Sequence, residues 1–203
     1  MFPLNLPNVL TLLRILLVPV LVVALLGATP HGSTVAAIVF ALAAFTDGLD
    51  GYIARSRRSI TTFGKVMDPI ADKLLVAAAL LSLVSLDRVA PWVAMVIIAR
   101  EFAVSGLRIA AGQQGVVIPA SPLGKVKTIV QIAAILAVIS TGALWAQLLL
   151  YLAVVITIAS GADYFLNFRR RIEEARERIV KEAEQRGEHR AAERAASSSG
   201  STR

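Results

Sequence analysis

Six stretches of the chain, 7–27, 34–54, 68–86, 91–111, 124–142 and 145–168, are predominantly apolar, and apolar and polar positions do not alternate within them. A run of about 20 such residues is long enough to cross the hydrocarbon core of a bilayer as a helix. A closed barrel would require a period of two, which these runs of Leu, Val, Ile and Ala lack. The pattern predicts an all-α, polytopic integral membrane protein with six transmembrane helices. The first stretch begins early and ends without an A-x-A-like cleavage site, so it is expected to be a retained helix and not a signal peptide. After residue 168 the pattern changes to alternating Arg and Glu, with Glu174/Arg178, Glu177/Lys181 and Glu182/Arg186 at helix-supporting spacing. Two parts are therefore expected: a transmembrane domain over 1–168, and a charged cytoplasmic helix over 169–203 that frays into its Ser-rich end.

Composition strengthens this division. Hydrophobic residues make up 56% of the 203 positions and charged residues 17%, and the polar tail holds many of the latter. The remainder is more apolar than a soluble domain would be. Cations give the orientation. Arg55, Arg57, Arg58 and Lys65 lie between the second and third stretches, Arg108, Lys125 and Lys127 flank the fourth and fifth, and Arg169, Arg170 and Arg171 follow the sixth. The opposite connections carry only His31, Asp87 and Arg88, so the positive-inside rule places both termini in the cytoplasm. The net charge of +7 suits a membrane surface, and no nucleic-acid partner is expected. The chain has no cysteine, which excludes disulfides and thiolate chemistry.

Acidic residues then become the anomaly. Up to residue 168 they are Asp47, Asp50, Asp68, Asp72, Asp87, Glu101 and Asp163, and four of them fall within one short region. Carboxylates inside membrane helices are costly and usually functional. Asp47, Asp50 and Ala54 share a face at helical spacing, as do Asp68 and Asp72 at i, i+4, and the intervening loop lets the two spans return side by side. Four carboxylates in a partly desolvated cleft would drive at least one to protonate unless divalent cations were present. An all-oxygen set with neither His31 nor His189 nearby suits two Mg²⁺ ions, or Mn²⁺, over zinc. Such a pair would clamp a diphosphate. Gly51, Ala54 and Gly64 are small enough for a ligand to approach the backbone, and Arg55 can pair with a phosphate. A purely structural use of Asp68, as an N-cap with Pro69 in the first turn, is the competing explanation for that residue.

The region from Asp47 to Asp72 fits the pattern D-x2-D-G-x2-A-R-x8-G-x3-D-x3-D at every position. In this it resembles the CDP-alcohol phosphotransferases, integral membrane enzymes of phospholipid synthesis, and the resemblance covers nearly all of the six-span region. It implies that Asp47 and Asp68 bridge two metal ions, that Asp50 completes one site and that Asp72 ligates the other. It implies also that Asp72 is the general base, and that Asn8, Thr11, Gly51, Arg55, Thr61 and Gly64 surround the CDP moiety of CDP-diacylglycerol. A homodimer in the cell membrane, with its active site facing the cytoplasm, is a further implication.

The segments LPNVLTLLR, FGKVMDPIADKLL, AREFAVSGLR and GKVKT look like those of family members whose acceptor is glycerol 3-phosphate. An anionic acceptor agrees with Arg108, Lys125 and Lys127, which could hold its phosphate while a hydroxyl points toward Asp72. These cations would also satisfy the positive-inside rule without touching substrate. Arg100 and Glu101 lie deeper in the fourth stretch, where an ion pair is expected at least as readily as substrate contact. Asp163 is open to a structural role. Family members that take phosphatidylglycerol or an inositol phosphate are the near alternatives, and a cation-coupled transporter the distant one. A transporter predicts acidic residues spread over several helices and repeated halves, neither of which is evident.

Overall fold

In the computed structural model the backbone is described for residues 6–27, 29–57, 62–113 and 122–199, and side chains for 9–27, 29–46, 70–113, 122–174, 177 and 181. The described residues form helices and no strands: α1 (Leu6–Leu26), α2 (Gly32–Arg57), α3 (Thr62–Ser85), α4 (Pro91–Gln113), α5 (Pro122–Thr141) and α6 (Leu144–Ser199). Proline opens α4 and α5, where its fixed φ suits the first turn and its missing N–H has no partner to lose. At the end of α3, Asp87 takes a left-handed conformation with φ of 55°. The Asp87 N–H then donates to Val84 at 3.0 Å and the Arg88 N–H to Leu83 at 2.9 Å, which satisfies carbonyls the helix would leave open. Gly142, just after α5, is also left-handed, with φ of 59°; there the Ala143 N–H donates to the Thr141 hydroxyl at 3.3 Å, and α6 follows almost at once.

The helices pack in a closed order, α1 against α2, α2 against α5, α5 against α6, α6 against α4, α4 against α3, and α3 back against α1. Direct packing between α2 and α3, and between α3 and α5, is slighter and crosses the middle. The core is built from residues at helical spacing, including Phe40 of α2, Leu80 and Leu83 of α3, Ile97 of α4, and Ile135 and Ile139 of α5. Ala36, Ala43, Ala79, Ala134 and Ala153 lie fully buried among them, and such small residues let membrane helices approach closely. Large apolar side chains cover the outside as well: Leu16, Phe45, Met95, Ile129, Leu148 and Val155 are all exposed. An apolar exterior of this extent fits lipid and not water. Among the described residues, three stretches, Val9–Leu26, Pro122–Thr141 and Leu144–Glu174, are long and apolar enough to cross a membrane, and Gly32–Thr46 is a shorter apolar one.

One end of the bundle is closed by Arg88, whose guanidinium donates to the Ser33 hydroxyl at 3.3 Å and the Ile139 carbonyl at 3.2 Å. The Gln147 amide donates in turn to the Arg88 carbonyl at 2.6 Å, so α2, α5 and α6 are tied to the turn after α3. The opposite end carries the candidate site. Two differences from the sequence expectation concern helix limits. α3 starts at Thr62, so Asp68 lies inside the helix and is not its N-cap. α6 continues without a break past residue 168 to Ser199, because a helix needs only local hydrogen bonds to pass from an apolar to a polar sequence.

Candidate active site

Asp72 is partly buried on α3, one turn after Asp68. It lines a cavity between α3, α4 and α5 together with Lys73, Glu101, Lys127, Thr128 and Gln131, floored by Val76 and Ile132. The cavity exists because α5 turns a polar edge inward near its start. Lys127 and Gln131, at i, i+4, are each 2% exposed, although both stand in a predominantly apolar helix. A buried ammonium needs a counter-charge, and Lys127 Nζ forms an ion pair with Glu101 Oε1 of α4. Thr128 instead returns its hydroxyl to the Gly124 carbonyl at 3.0 Å.

Further cations surround this pair. Arg100 donates to the Ser160 hydroxyl of α6 at 2.6 Å, and the Arg108 guanidinium lies over the Tyr164 ring, 5.8 Å from its centroid. Lys127 is close enough to Arg100, Asp72 and Lys73 for their charges to act on one another, as is Arg100 to Arg108. The structure thus brings Asp72 and Lys127 into one cavity. Arg108 and Lys125 are not among its lining residues; Arg108 turns toward α6 and Lys125 is exposed. Asp163 accepts a hydrogen bond from Asn167 at 3.0 Å on its own helix.

The remaining candidates are placed by their backbone. Asp47, Asp50, Gly51, Ala54 and Arg55 lie on α2, Gly64 and Asp68 on α3, and Asn8 on α1, with side chains outside the described set; Thr61 is outside the described residues altogether. α1 packs along both α2 and α3, so the helices that carry the aspartates are held by a shared neighbour. On that neighbour Thr11 and Arg14, at i, i+3, are each 1% exposed.

Arg14 and Gln131 are two buried polar residues that sequence reasoning did not single out; Ser82, Thr157 and Ser160 are others. The first two each left a signal: Arg14 is the only charged residue in 7–27, and Gln131 lies one helical turn beyond Lys127. Chemically, the arrangement offers a carboxylate as proton acceptor beside a compensated cation and a buried amide, at the edge of a bilayer-sized bundle.

Residues 4–159 match the family described as CDP-alcohol phosphatidyltransferase. A Bacillus subtilis (strain 168) protein called CDP-diacylglycerol--glycerol-3-phosphate 3-phosphatidyltransferase is 42% identical over 79% of this chain and 93% of its own. Proteins of the same name from Rickettsia felis and Salmonella choleraesuis are 40% and 37% identical over 79% of this chain, and over 93% and 92% of their own lengths. A match over most of the chain, with the aspartate pattern inside it, establishes that the chain belongs to the CDP-alcohol phosphatidyltransferase family.

Proposed function

We propose that this chain transfers the phosphatidyl group of CDP-diacylglycerol to glycerol 3-phosphate, giving phosphatidylglycerophosphate and CMP. The observation that carries the choice of acceptor is the 42% identity, over 93% of its length, to a relative named for that reaction. The cavity supports it, because Asp72 and Lys127 share a space that a small anionic alcohol could reach. In this reading all six helices span the cell membrane, both termini are cytoplasmic, the site faces the cytoplasm, and two copies of the chain associate. Residues 1–168 form the catalytic domain and 169–203 a cytoplasmic extension.

The donor set fits hard divalent cations. Asp47 and Asp50 on α2 and Asp68 and Asp72 on α3 offer only oxygen, and these two helices touch directly. Two Mg²⁺ ions, or Mn²⁺, held by these four carboxylates would neutralise the diphosphate when bound. Asp72 accepts the proton of the acceptor hydroxyl. The hydroxyl oxygen forms a bond to the lipid-linked phosphorus, and the bond from that phosphorus to CMP breaks. Arg55 pairs with the diphosphate, while Gly51, Ala54 and Gly64 allow the CDP group to approach, flanked by Asn8, Thr11 and Thr61. Lys127, with Lys125 and Arg108 farther out, attracts the acceptor phosphate. Catalysis then rests on positioning and charge neutralisation.

Purified protein supplied with CDP-diacylglycerol and Mg²⁺ should release CMP and form a new lipid with glycerol 3-phosphate, and not with inositol phosphate or phosphatidylglycerol. Lipid made only from one of the other acceptors would reassign the substrate. The absence of acceptor-dependent CMP with every member of the panel would remove the transferase reading.

A further inference from the structure

The cavity between α3, α4 and α5 contains a polar atom that the reaction described above does not use. Gln131 is 2% exposed, and its side-chain oxygen is buried with no hydrogen-bond partner among the described residues. Leaving such a group unpaired costs about 1–3 kcal/mol. Of its neighbours on the cavity wall, Lys127 pairs with Glu101, the Thr128 hydroxyl donates to Gly124, Lys73 is engaged as well, and a carboxylate at Asp72 only accepts. The cavity is small: the centre of a water-sized group has about 30 Å³ to move in, within about 300 Å³ of atom-free space that runs into open solvent. Room of this size takes a small polar group such as a hydroxyl against the wall, with the side open to solvent left for the rest of its molecule.

We propose that Gln131 is a specificity residue that accepts a hydrogen bond from the acceptor's second, non-reacting hydroxyl. The inference rests on the reading that glycerol 3-phosphate is the acceptor. That molecule has a primary and a secondary hydroxyl on adjacent carbons. The less hindered primary hydroxyl gives its proton to Asp72 and attacks, and the secondary one needs an acceptor in a place where little water is present. Asp72 on α3 and Gln131 on α5 line the same cavity and offer one acceptor to each hydroxyl. A site built to hydrogen-bond a hydroxyl rejects an analogue without it, because its own buried polar group is then left unpaired.

The test compares glycerol 3-phosphate with 3-hydroxypropyl phosphate, which keeps the primary hydroxyl and lacks the secondary one. Full-length protein is assayed with CDP-diacylglycerol and Mg²⁺, and thermal unfolding is followed for every variant. Wild-type kcat/KM should be about 10–100-fold lower for the analogue. In Gln131→Leu the two acceptors should come within about threefold of each other, through loss of glycerol 3-phosphate turnover and not gain of the analogue's. Gln131→Glu, which retains a side-chain oxygen acceptor, should keep the discrimination. Gln131→Met, of similar length, replaces the leucine variant if the latter does not fold. A wild-type ratio preserved in a folded apolar variant would overturn the role of Gln131, as would a wild type indifferent to the missing hydroxyl. Wild-type protein that makes no lipid from either acceptor would instead overturn the reaction itself, and this inference with it.

Discussion

Lys127 and Glu101 carry opposite charges where neither would be stable alone. Lys127 is 2% exposed, and its ion pair joins α5 to α4 beside Asp72. Removing one member of a buried pair leaves an uncompensated charge and costs about 3–5 kcal/mol, whereas replacing both with uncharged groups of similar volume is often neutral. Glu101→Gln and Lys127→Met should therefore each lower the thermal unfolding midpoint, and the double variant should recover most of the loss. Additive losses in that cycle would show that the pair is not coupled. Residues of this kind differ in how legible they are. Asp72 stood out because a carboxylate in an apolar stretch is expensive and its spacing from three others was regular. Glu101 was visible as a charge, but its partner depends on α4 and α5 being brought together around α3. Gln131 has no charge to mark it, and its place one turn beyond Lys127 gains meaning only from its burial.

At the scale of elements, the six apolar stretches correspond closely to the helices, since the need to satisfy backbone groups inside lipid leaves few other structures. Ends were less legible. The polar starts of α3 and the long extension of α6 carry no hydropathy signal, although both continue the hydrogen-bond ladder. Two glycines separate backbone strain from packing. At Gly142, with φ of 59°, an added Cβ would meet no atom within 4 Å, so alanine there carries only the left-handed penalty, about 1–2 kcal/mol. Gly106, inside α4, is equally open, and alanine there should gain up to about 1 kcal/mol of helix propensity. Gly142→Ala should thus lower the unfolding midpoint and Gly106→Ala raise it. The same direction of change for both would contradict this account of the α5–α6 turn.

On the scale of the whole molecule, the bundle is apolar inside and out, with charged side chains gathered toward its ends and around Asp72. The proposed orientation in the membrane rests on the distribution of cations along the sequence. The absence of cysteine allows a direct check, because a single introduced thiol is the only one present. His31→Cys should react with a membrane-impermeant maleimide added to intact cells, and Arg171→Cys only after the membrane is opened; both positions are exposed. The reverse pattern would invert the topology. The central claim is that Asp72, at the mouth between α3, α4 and α5, takes the proton of the attacking alcohol. The most direct test is CMP release by purified Asp72→Asn with CDP-diacylglycerol, glycerol 3-phosphate and Mg²⁺ present. A loss of at least about 100-fold against wild type is expected for removal of a general base, and near-normal turnover would contradict the account.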